Sequence, residues 1–239
     1  MTPGALPPAA VSWAAWLRTW LLEPVADAPG GDIGRAVEVE PTPQPRVRVA
    51  VVGLGPACGA TTVARGLAAA LATRDPGGAA IVSSAAQAAG ATLPPLRGAS
   101  RLAARLPGAM AVGRLCVWHG SDPAGTVVSA GPLAPIVFDV PHDGPASDSA
   151  SLADATVLVA PGDAEPALVD LAARTLARHG REPFTVVNRP AEPGRWRERA
   201  AVLLPDSRLA ARLTFAGWQA PGRLGQVLAR LAEDCEAAS

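Results

Sequence analysis

The stretch RVRVAVVGLGPACGATTVARGLAAAL, residues 46–71, predicts a strand, a glycine-rich turn and a helix in direct succession. Residues 47–53 are almost entirely apolar and rich in valine, as is typical of a strand that is buried on both faces. The glycines that follow permit a tight turn, and an amphipathic helix opens at Thr61. A helix that begins in such a turn directs several backbone N–H groups and the positive end of its dipole towards one point. The stretch therefore predicts a phosphate-binding site.

Strand and helix patterns alternate along the rest of the chain. Predicted strands fall at residues 79–84, 113–119, 135–140, 155–160, 184–188 and 201–204, and predicted helices at 100–106, 207–215 and 221–236. We expect a further helix after an N-cap at Asp163, with Leu168, Leu171 and Leu176 on its apolar face. This alternation is typical of an α/β domain, here residues 46–239, in which helices cover both faces of a mostly parallel, twisted sheet.

The first 45 residues are predicted to be an appendage to that domain. Residues 1–10 are expected to be disordered, 11–23 to form an amphipathic helix, and 24–45 to be an acidic linker rich in proline and glycine. One face of the predicted helix carries three tryptophans: Trp13, Trp16 and Trp20. Because this face is unfavourable in water, we expect it to dock on the chain's own domain or on a protein partner. A membrane surface is not expected, since the helix and linker lack a basic face.

Composition excludes several classes of protein. Hydrophobic residues make up 49% of the 239-residue chain, which is enough for a sizeable core, and 21 basic residues balance 21 acidic ones. Every basic residue is an arginine, so chemistry that needs a lysine side chain is excluded. The three cysteines are far apart and fit no zinc motif. With no pattern typical of a signal peptide or a membrane span, this favours a reducing, cytoplasmic setting.

Three motifs, taken in order, resemble the ParA/MinD family of ATPases. GPACGATT, residues 55–62, is similar to the family's deviant P-loop, KGGxGKTT. PIVFDVPHDG, residues 135–144, resembles its switch II strand, and TVVNRP, residues 185–190, its base-contacting segment. The resemblance covers about residues 46–236 and implies the P-loop NTPase fold of that family, with the 47–53 strand beside the 135–140 strand.

The resemblance also implies a set of site residues. The nucleotide, ATP or ADP with Mg²⁺, would be held by the loop, by the helix that follows it and by the end of the predicted strand at residues 184–188. The implied nucleotide-binding residues are Gly55, Gly59, Ala60, Thr61, Thr62, Asn188 and Arg189. Thr61 would bind the metal directly, and Asp139 would hold it through a water and act in catalysis. We expect Asp139 to lie within the reach of one water of the Thr61 hydroxyl.

The loop departs from the family pattern at two positions. Gly55 and Ala60 stand where the family has its two lysines, and loss of the phosphate-binding lysine removes charge neutralisation from phosphoryl transfer. The expected function is that of a degenerate ATPase that serves as an adaptor or positioning factor in cell division, partition or pilus assembly. A tight ATP-sandwich homodimer is not expected. A weakly active ATPase remains an alternative.

A second alternative is a Rossmann-type protein that binds NAD(P) through the GxGxxxG spacing of the loop. Such a protein would need an acid at the end of the second strand, where Ser83 stands.

Two further expectations concern arginines. We expect Arg65 to be solvated or ion-paired. The arginines around Trp196 offer a possible clamp for non-specific DNA, although a solvated helix face is the favoured interpretation.

Overall fold

The computed structural model describes residues 46–83, 94–119, 133–140, 151–178, 181–196 and 201–239, with single positions at 130, 149 and 199. The chain divides into a unit over Met1–Thr42 and a unit over Pro43–Ser239, and the described residues all belong to the second. The predictions for residues 1–45, including the helix with Trp13, Trp16 and Trp20, lie outside the described residues.

The described residues contain eight strands and five α-helices. The strands are β1 (Arg48–Gly53), β2 (Ala79–Ser83), β3 (Ala109–Val112), β4 (Leu115–His119), β5 (Ile136–Val140), β6 (Ala155–Pro161), β7 (Phe184–Asn188) and β8 (Ala201–Leu204). The helices are α1 (Ala60–Arg74), α2 (Arg97–Arg105), α3 (Pro166–Ala177), α4 (Arg208–Phe215) and α5 (Gly222–Ala238). A 3₁₀ turn over Pro193–Trp196 leads towards β8.

The strands form one sheet in the order β3-β4-β2-β5-β1-β6-β7-β8. All neighbouring pairs are parallel except β3 and β4. Every residue of β2 and β5 is buried, as expected for strands covered on both faces. The predicted α/β class and the predicted pairing of β1 with β5 are therefore confirmed.

The third predicted strand, residues 113–119, needs correction. Gly113 and Arg114 form a turn that joins β3 to β4 as an antiparallel hairpin. Gly113 has a φ of 55°, which a glycine adopts readily at such a turn. The sequence did not reveal β3, because its four residues, AMAV, are short and lack the turn-bounded β-branched run that marked the other strands.

Helix α1 lies at the centre of one face of the sheet. Ten consecutive residues from Val63 to Ala72 are buried, so the helix is enclosed by the sheet on one side and by α4 and α5 on the other. A Cβ on Gly66 would lie 2.5 Å from the Leu228 side chain of α5. Small residues along α1 therefore allow the two helices to approach closely.

The opposite face is covered by α2 and α3, and the prediction for α3 was wrong in two respects. The N-cap is Glu165 rather than Asp163, and it makes no side-chain capping bond. Val169 is buried, whereas Leu168 and Leu171 are exposed. Pro166 starts the helix, and Val169 packs against β6 and β7, a choice of side that a count of apolar residues does not reveal.

Candidate functional site

The loop between β1 and α1 builds one end of a cavity. Gly59 is the N-cap of α1 and has a left-handed backbone with a φ of 93°. Among the described residues, no side chain caps this N-terminus and no acid lies in the first turn of the helix. The N–H groups at the start of α1 are thus not competed for by a local carboxylate, which leaves an arrangement suited to an anion.

Asp139 lies beside this helix start because of the strand register. Strand β5 runs between β1 and β2, so Asp139 is opposite Val51 on one side and opposite Ser83 on the other. The Thr61 hydroxyl donates to Asp139 Oδ1 at 3.3 Å, and the Ser83 hydroxyl donates to Asp139 Oδ2 at 2.8 Å. The structure therefore brings Asp139 and Thr61 together, within the predicted reach.

Burial is the main influence on the Asp139 carboxyl. Its side chain is buried, and removal from water raises its pKa above the usual value for an aspartate. Hydrogen bonds from Ser83 and Thr61 and the charge of Arg65 act in the opposite direction, with smaller effects on the pKa. The ionised form of such a buried carboxyl would be stabilised by a further positive charge beside it, such as a divalent cation.

Asn188, at the end of β7, braces the loop. Its Nδ2 donates to the carbonyl oxygen of Cys58 at 2.9 Å. The amide lies so close to Gly59 that a Cβ on Gly59 would be 2.2 Å from Nδ2. Arg189 follows with a left-handed φ of 52°, and its N–H donates to the Leu204 carbonyl. Asn188 thus fixes the loop while it contributes to the lining of the cavity.

The cavity has a volume of about 540 Å³, which suits a nucleotide-sized ligand. At one end it is lined by the loop, the start of α1 and Asp139, and at the other by residues that follow β7 and β8. Every predicted nucleotide-binding residue contributes to the lining: Gly55, Gly59, Ala60, Thr61, Thr62, Asn188 and Arg189. The cavity lies at the carboxyl ends of parallel strands, where α/β folds place their ligands.

Part of this lining was not predicted from the sequence. Ser207, Arg208 and Phe215 of the α4 region contribute to the lining, and the Ser83 hydroxyl donates a hydrogen bond to Asp139. For Ser83 a signal existed, since it ends the strand that pairs with β5 in a parallel sheet. For the α4 residues there was none, because their approach depends on how α4 packs across α1.

Comparison with known proteins concerns the fold. No family model matches the sequence, and no curated protein matches it significantly. Solved structures do match. MinD from Aquifex aeolicus is 16% identical with a TM-score of 0.56, and the match covers 81% of this chain and 98% of that one. A ParA family ATPase from Chlorobium tepidum is 13% identical with a TM-score of 0.51, covering 79% and 99%.

MinD from Pyrococcus horikoshii, determined with Mg-ADP, is 16% identical with a TM-score of 0.52, covering 79% of this chain and 95% of that one. The described domain has the ParA/MinD-like P-loop fold. The topology, the loop at the end of β1 and the cavity agree with this assignment, which the sequence motifs predicted.

The oxygen atoms at the head of α1 suit the metal that such a fold implies. A threonine hydroxyl and a carboxylate 3.3 Å apart are hard oxygen donors of the kind that Mg²⁺ prefers. Among the described residues, no group of three or more His, Cys, Asp or Glu side chains could hold a metal ion. The pair of donors fits a hard divalent cation such as Mg²⁺.

Arg65 was predicted to be solvated or ion-paired, and the structure rules out the solvated state, because the side chain is buried. It is 4% exposed, its guanidinium donates to the carbonyl oxygen of Phe215 at 2.7 Å, and it stacks 5.2 Å from the ring centroid of Phe215. Burial lowers its pKa. Its side chain is thereby held against α4, while its charge still acts on the Asp139 carboxyl.

The arginine cluster after β7 does not form a stacking platform. Trp196 is 2% exposed and packs in the core between the sheet and α3. Arg195 is paired with Glu165 and Arg199 with Asp170, each at about 3 Å. A buried indole cannot stack on a nucleotide base, so the geometry favours the solvated helix face of the sequence analysis. Among the described residues, no helix is long and apolar enough to cross a membrane.

Proposed function

We propose that this domain binds an adenine nucleotide together with Mg²⁺ in the cavity above α1, and hydrolyses it very slowly. The observation that carries the proposal is the contact between Thr61 and Asp139 at the head of a helix whose first residue is Ala60. The hydroxyl and the carboxylate needed for a metal–phosphate complex lie together. The residue at the position of the phosphate-binding lysine is Ala60, whose side chain is only a methyl group.

Different parts of the lining would have different roles. The N–H groups at the start of α1 would bind the phosphates, and Thr61 and Asp139 would hold the metal, Asp139 through a water. Asn188 presents its amide oxygen to an exocyclic amino group of the base, since its Nδ2 is already bonded to Cys58. The bound metal supplies positive charge to the phosphate oxygens.

Slow turnover follows from the charges that are missing. In phosphoryl transfer the developing charge is stabilised by cations fixed in the site, and loss of one such group lowers the rate by about 10²–10³. The chain contains no lysine, and Arg65 is occupied by Phe215. A protein that binds nucleotide but rarely hydrolyses it can signal only through whether its nucleotide site is occupied or empty. We therefore assign it the role of an adaptor or positioning factor rather than that of a working motor.

The deciding experiment is a calorimetric titration of the full chain with ATP, ADP and NADP, with and without Mg²⁺, alongside a phosphate-release assay. We expect Mg²⁺-dependent binding of ATP and ADP. Thr61→Val and Asp139→Asn should weaken it, whereas Thr73→Val should not, because Thr73 lies exposed at the far end of the same helix. Absence of any nucleotide binding, or a preference for NADP, would refute the proposal. Rapid ATP turnover that is lost in Asp139→Asn would refute the slow-hydrolysis part.

A gain-of-function test addresses the missing lysine directly. Ala60→Lys returns a cation to the first residue of α1, and we expect tighter binding of Mg-ATP. Ala60→Met is the matched control, since it adds similar length without charge. If both substitutions change the affinity equally, the missing charge is not what limits this site.

A further inference from the structure

Arg65 is a buried cation without a carboxylate partner in the described part of the chain. A guanidinium stays protonated even in a protein interior, and only 4% of this residue is exposed. None of the ion pairs among the described residues includes it, and its buried Nε has no hydrogen-bond partner there. Removing a charge from water without such partners is costly. Packing alone is therefore a poor reason for this arginine.

The guanidinium is held in place by α4. Its Nη1 donates to the carbonyl oxygen of Phe215 at 2.7 Å, and its Cζ lies 5.2 Å from the centroid of the same ring. The carbonyl dipole and the face of the ring each offset part of the cost of burial. Neither of them carries a full negative charge, so the charge of Arg65 is not neutralised by α4.

The acid whose charge acts on Arg65 is Asp139. Arg65 follows Thr61 by four residues on α1, so the two side chains lie on one side of the helix, one turn apart. Thr61 donates to Asp139, and α1 packs against β5. The charge of Asp139 raises the pKa of Arg65, and the charge of Arg65 lowers the pKa of Asp139. The cation and the carboxyl thus interact near the head of α1 without forming an ion pair.

Arg65 acts on this site through its charge and not through contact. Thr61, Asp139 and Phe215 line the cavity, whereas Arg65 is not part of the lining. A charge inside a protein acts over a longer range than in water, because the effective dielectric constant falls from about 80 to about 20. An anion at the start of α1 is therefore attracted by Arg65, and a metal ion beside Asp139 is repelled by it.

We propose that Arg65 is a positioning residue that sets the charge preference of the cavity: it favours phosphate groups at the start of α1 and opposes a metal ion that binds alone. This inference rests on the proposed binding of a nucleotide with Mg²⁺. The attraction grows with the net negative charge of the ligand. Metal-free ATP carries more negative charge than Mg-ATP, because the metal cancels part of it. Arg65 therefore favours metal-free ATP more strongly than Mg-ATP.

Titration of the full chain with ATP, in EDTA and in Mg²⁺, tests this preference at pH 8, far above the usual pKa of a carboxyl. Arg65→Met keeps an unbranched side chain and removes the charge. We expect it to weaken binding of metal-free ATP by about tenfold and binding of Mg-ATP by only about threefold. The gain in affinity that Mg²⁺ brings should therefore be about threefold larger in this variant than in the wild-type chain.

Two control variants separate the charge from its location. Arg65→Lys keeps the charge, and its gain in affinity with Mg²⁺ should stay close to that of the wild-type chain. Arg74→Met removes an arginine from the last turn of the same helix, where the side chain is partly exposed and paired with Glu233 and Glu236. Both ATP affinities should be unchanged in Arg74→Met.

Thermal unfolding without nucleotide gives a second, independent measurement. Replacement of a buried charge by an apolar side chain of similar size is often neutral or stabilising. The Tm of Arg65→Met should therefore equal or exceed that of the wild-type chain. An arginine whose role is only structural would give a clearly lower Tm or a variant that does not fold, and either result would overturn the proposal.

The titration separates this inference from the function on which it rests. Equal losses of affinity for ATP with and without Mg²⁺ in Arg65→Met would refute the inference and leave the nucleotide site standing. An effect of Arg74→Met as large as that of Arg65→Met would also refute it, because the charge of the whole helix would then be responsible. Absence of nucleotide binding by the wild-type chain would refute both proposals.

Discussion

Substitution of Gly59 by alanine is the sharpest test of the loop geometry. Two penalties are expected in the folded state. A left-handed backbone costs an L-residue about 1–2 kcal/mol, and Gly59 has a φ of 93°. The new Cβ would lie 2.2 Å from Asn188 Nδ2, so the amide must move and its bond to Cys58 is lost, at about 0.5–1.5 kcal/mol. Together these lower the free energy of unfolding by about 1.5–3.5 kcal/mol, with a midpoint near 2.5 kcal/mol.

The assay is urea unfolding, supported by the thermal midpoint. A loss of that size corresponds to a fall in Tm of about 5–10 °C for a domain of this length. Gly55→Ala is the matched control within the same loop. No heavy atom lies within 4 Å of its added Cβ, and its φ is not left-handed. Its unfolding free energy should therefore change by less than about 0.5 kcal/mol.

A double-mutant cycle separates the two penalties. In the Asn188→Ala background the clash and the hydrogen bond are both absent, so Gly59→Ala should cost only the backbone penalty of about 1–2 kcal/mol. Nucleotide affinity should fall in Gly59→Ala and in Asn188→Ala, because both release the loop. If Gly59→Ala is no more destabilising than Gly55→Ala, or costs the same in both backgrounds, the inferred brace between Asn188 and the loop is wrong.

The remaining predictions concern stability and reactivity. Burial raises the pKa of Asp154, but the hydrogen bonds and the charge of Arg48 outweigh burial and bring that pKa below its usual 3.8. The stability that this ion pair contributes is present above the usual pKa and is lost as the pH falls through the lowered pKa. Asp154→Asn should therefore lower the unfolding free energy by about 0.5–1 kcal/mol at pH 7 and by almost nothing near pH 2, because solvent screens this partly exposed pair. Equal losses at both pH values would argue against the ion pair. Trp196→Ala should lower the unfolding free energy by about 3–5 kcal/mol, because the indole is 2% exposed in the core, and urea denaturation with a loss below about 1 kcal/mol would contradict that placement. Burial raises the pKa of the Cys116 and Cys235 thiols to about 12, so a thiol reagent at pH 8 should label both only as fast as the protein unfolds.

The local sequence determined the elements and their chemistry. Continuous apolar runs between turn residues marked the parallel strands, because a strand covered on both faces needs apolar side chains in both directions. The glycines and threonines of residues 53–62 marked the turn that leads from β1 into α1, because few other residues allow that backbone path into a helix. The absence of lysine is likewise a fact of the sequence, and it set the expectation of slow chemistry.

Some features escaped the sequence because the signal was weak or ambiguous. The short strand β3 lacks a β-branched run, and the helix over residues 166–177 has apolar residues on more than one side, so the pattern did not show that Val169 rather than Leu168 faces the sheet. In such a helix the buried side depends on how the helix packs on the sheet beneath it.

Tertiary structure alone decided which distant residues meet. Strand order places β5 between β1 and β2, and only that order lets Asp139 accept hydrogen bonds from the hydroxyl groups of both Thr61 and Ser83. The packing of α4 against α1 buries Arg65 and lets its guanidinium donate a hydrogen bond to the carbonyl oxygen of Phe215. Sequence periodicity reports which side of an element is apolar, whereas contacts between residues a hundred positions apart depend on how the elements pack, because that packing minimises exposed apolar area for the whole chain at once.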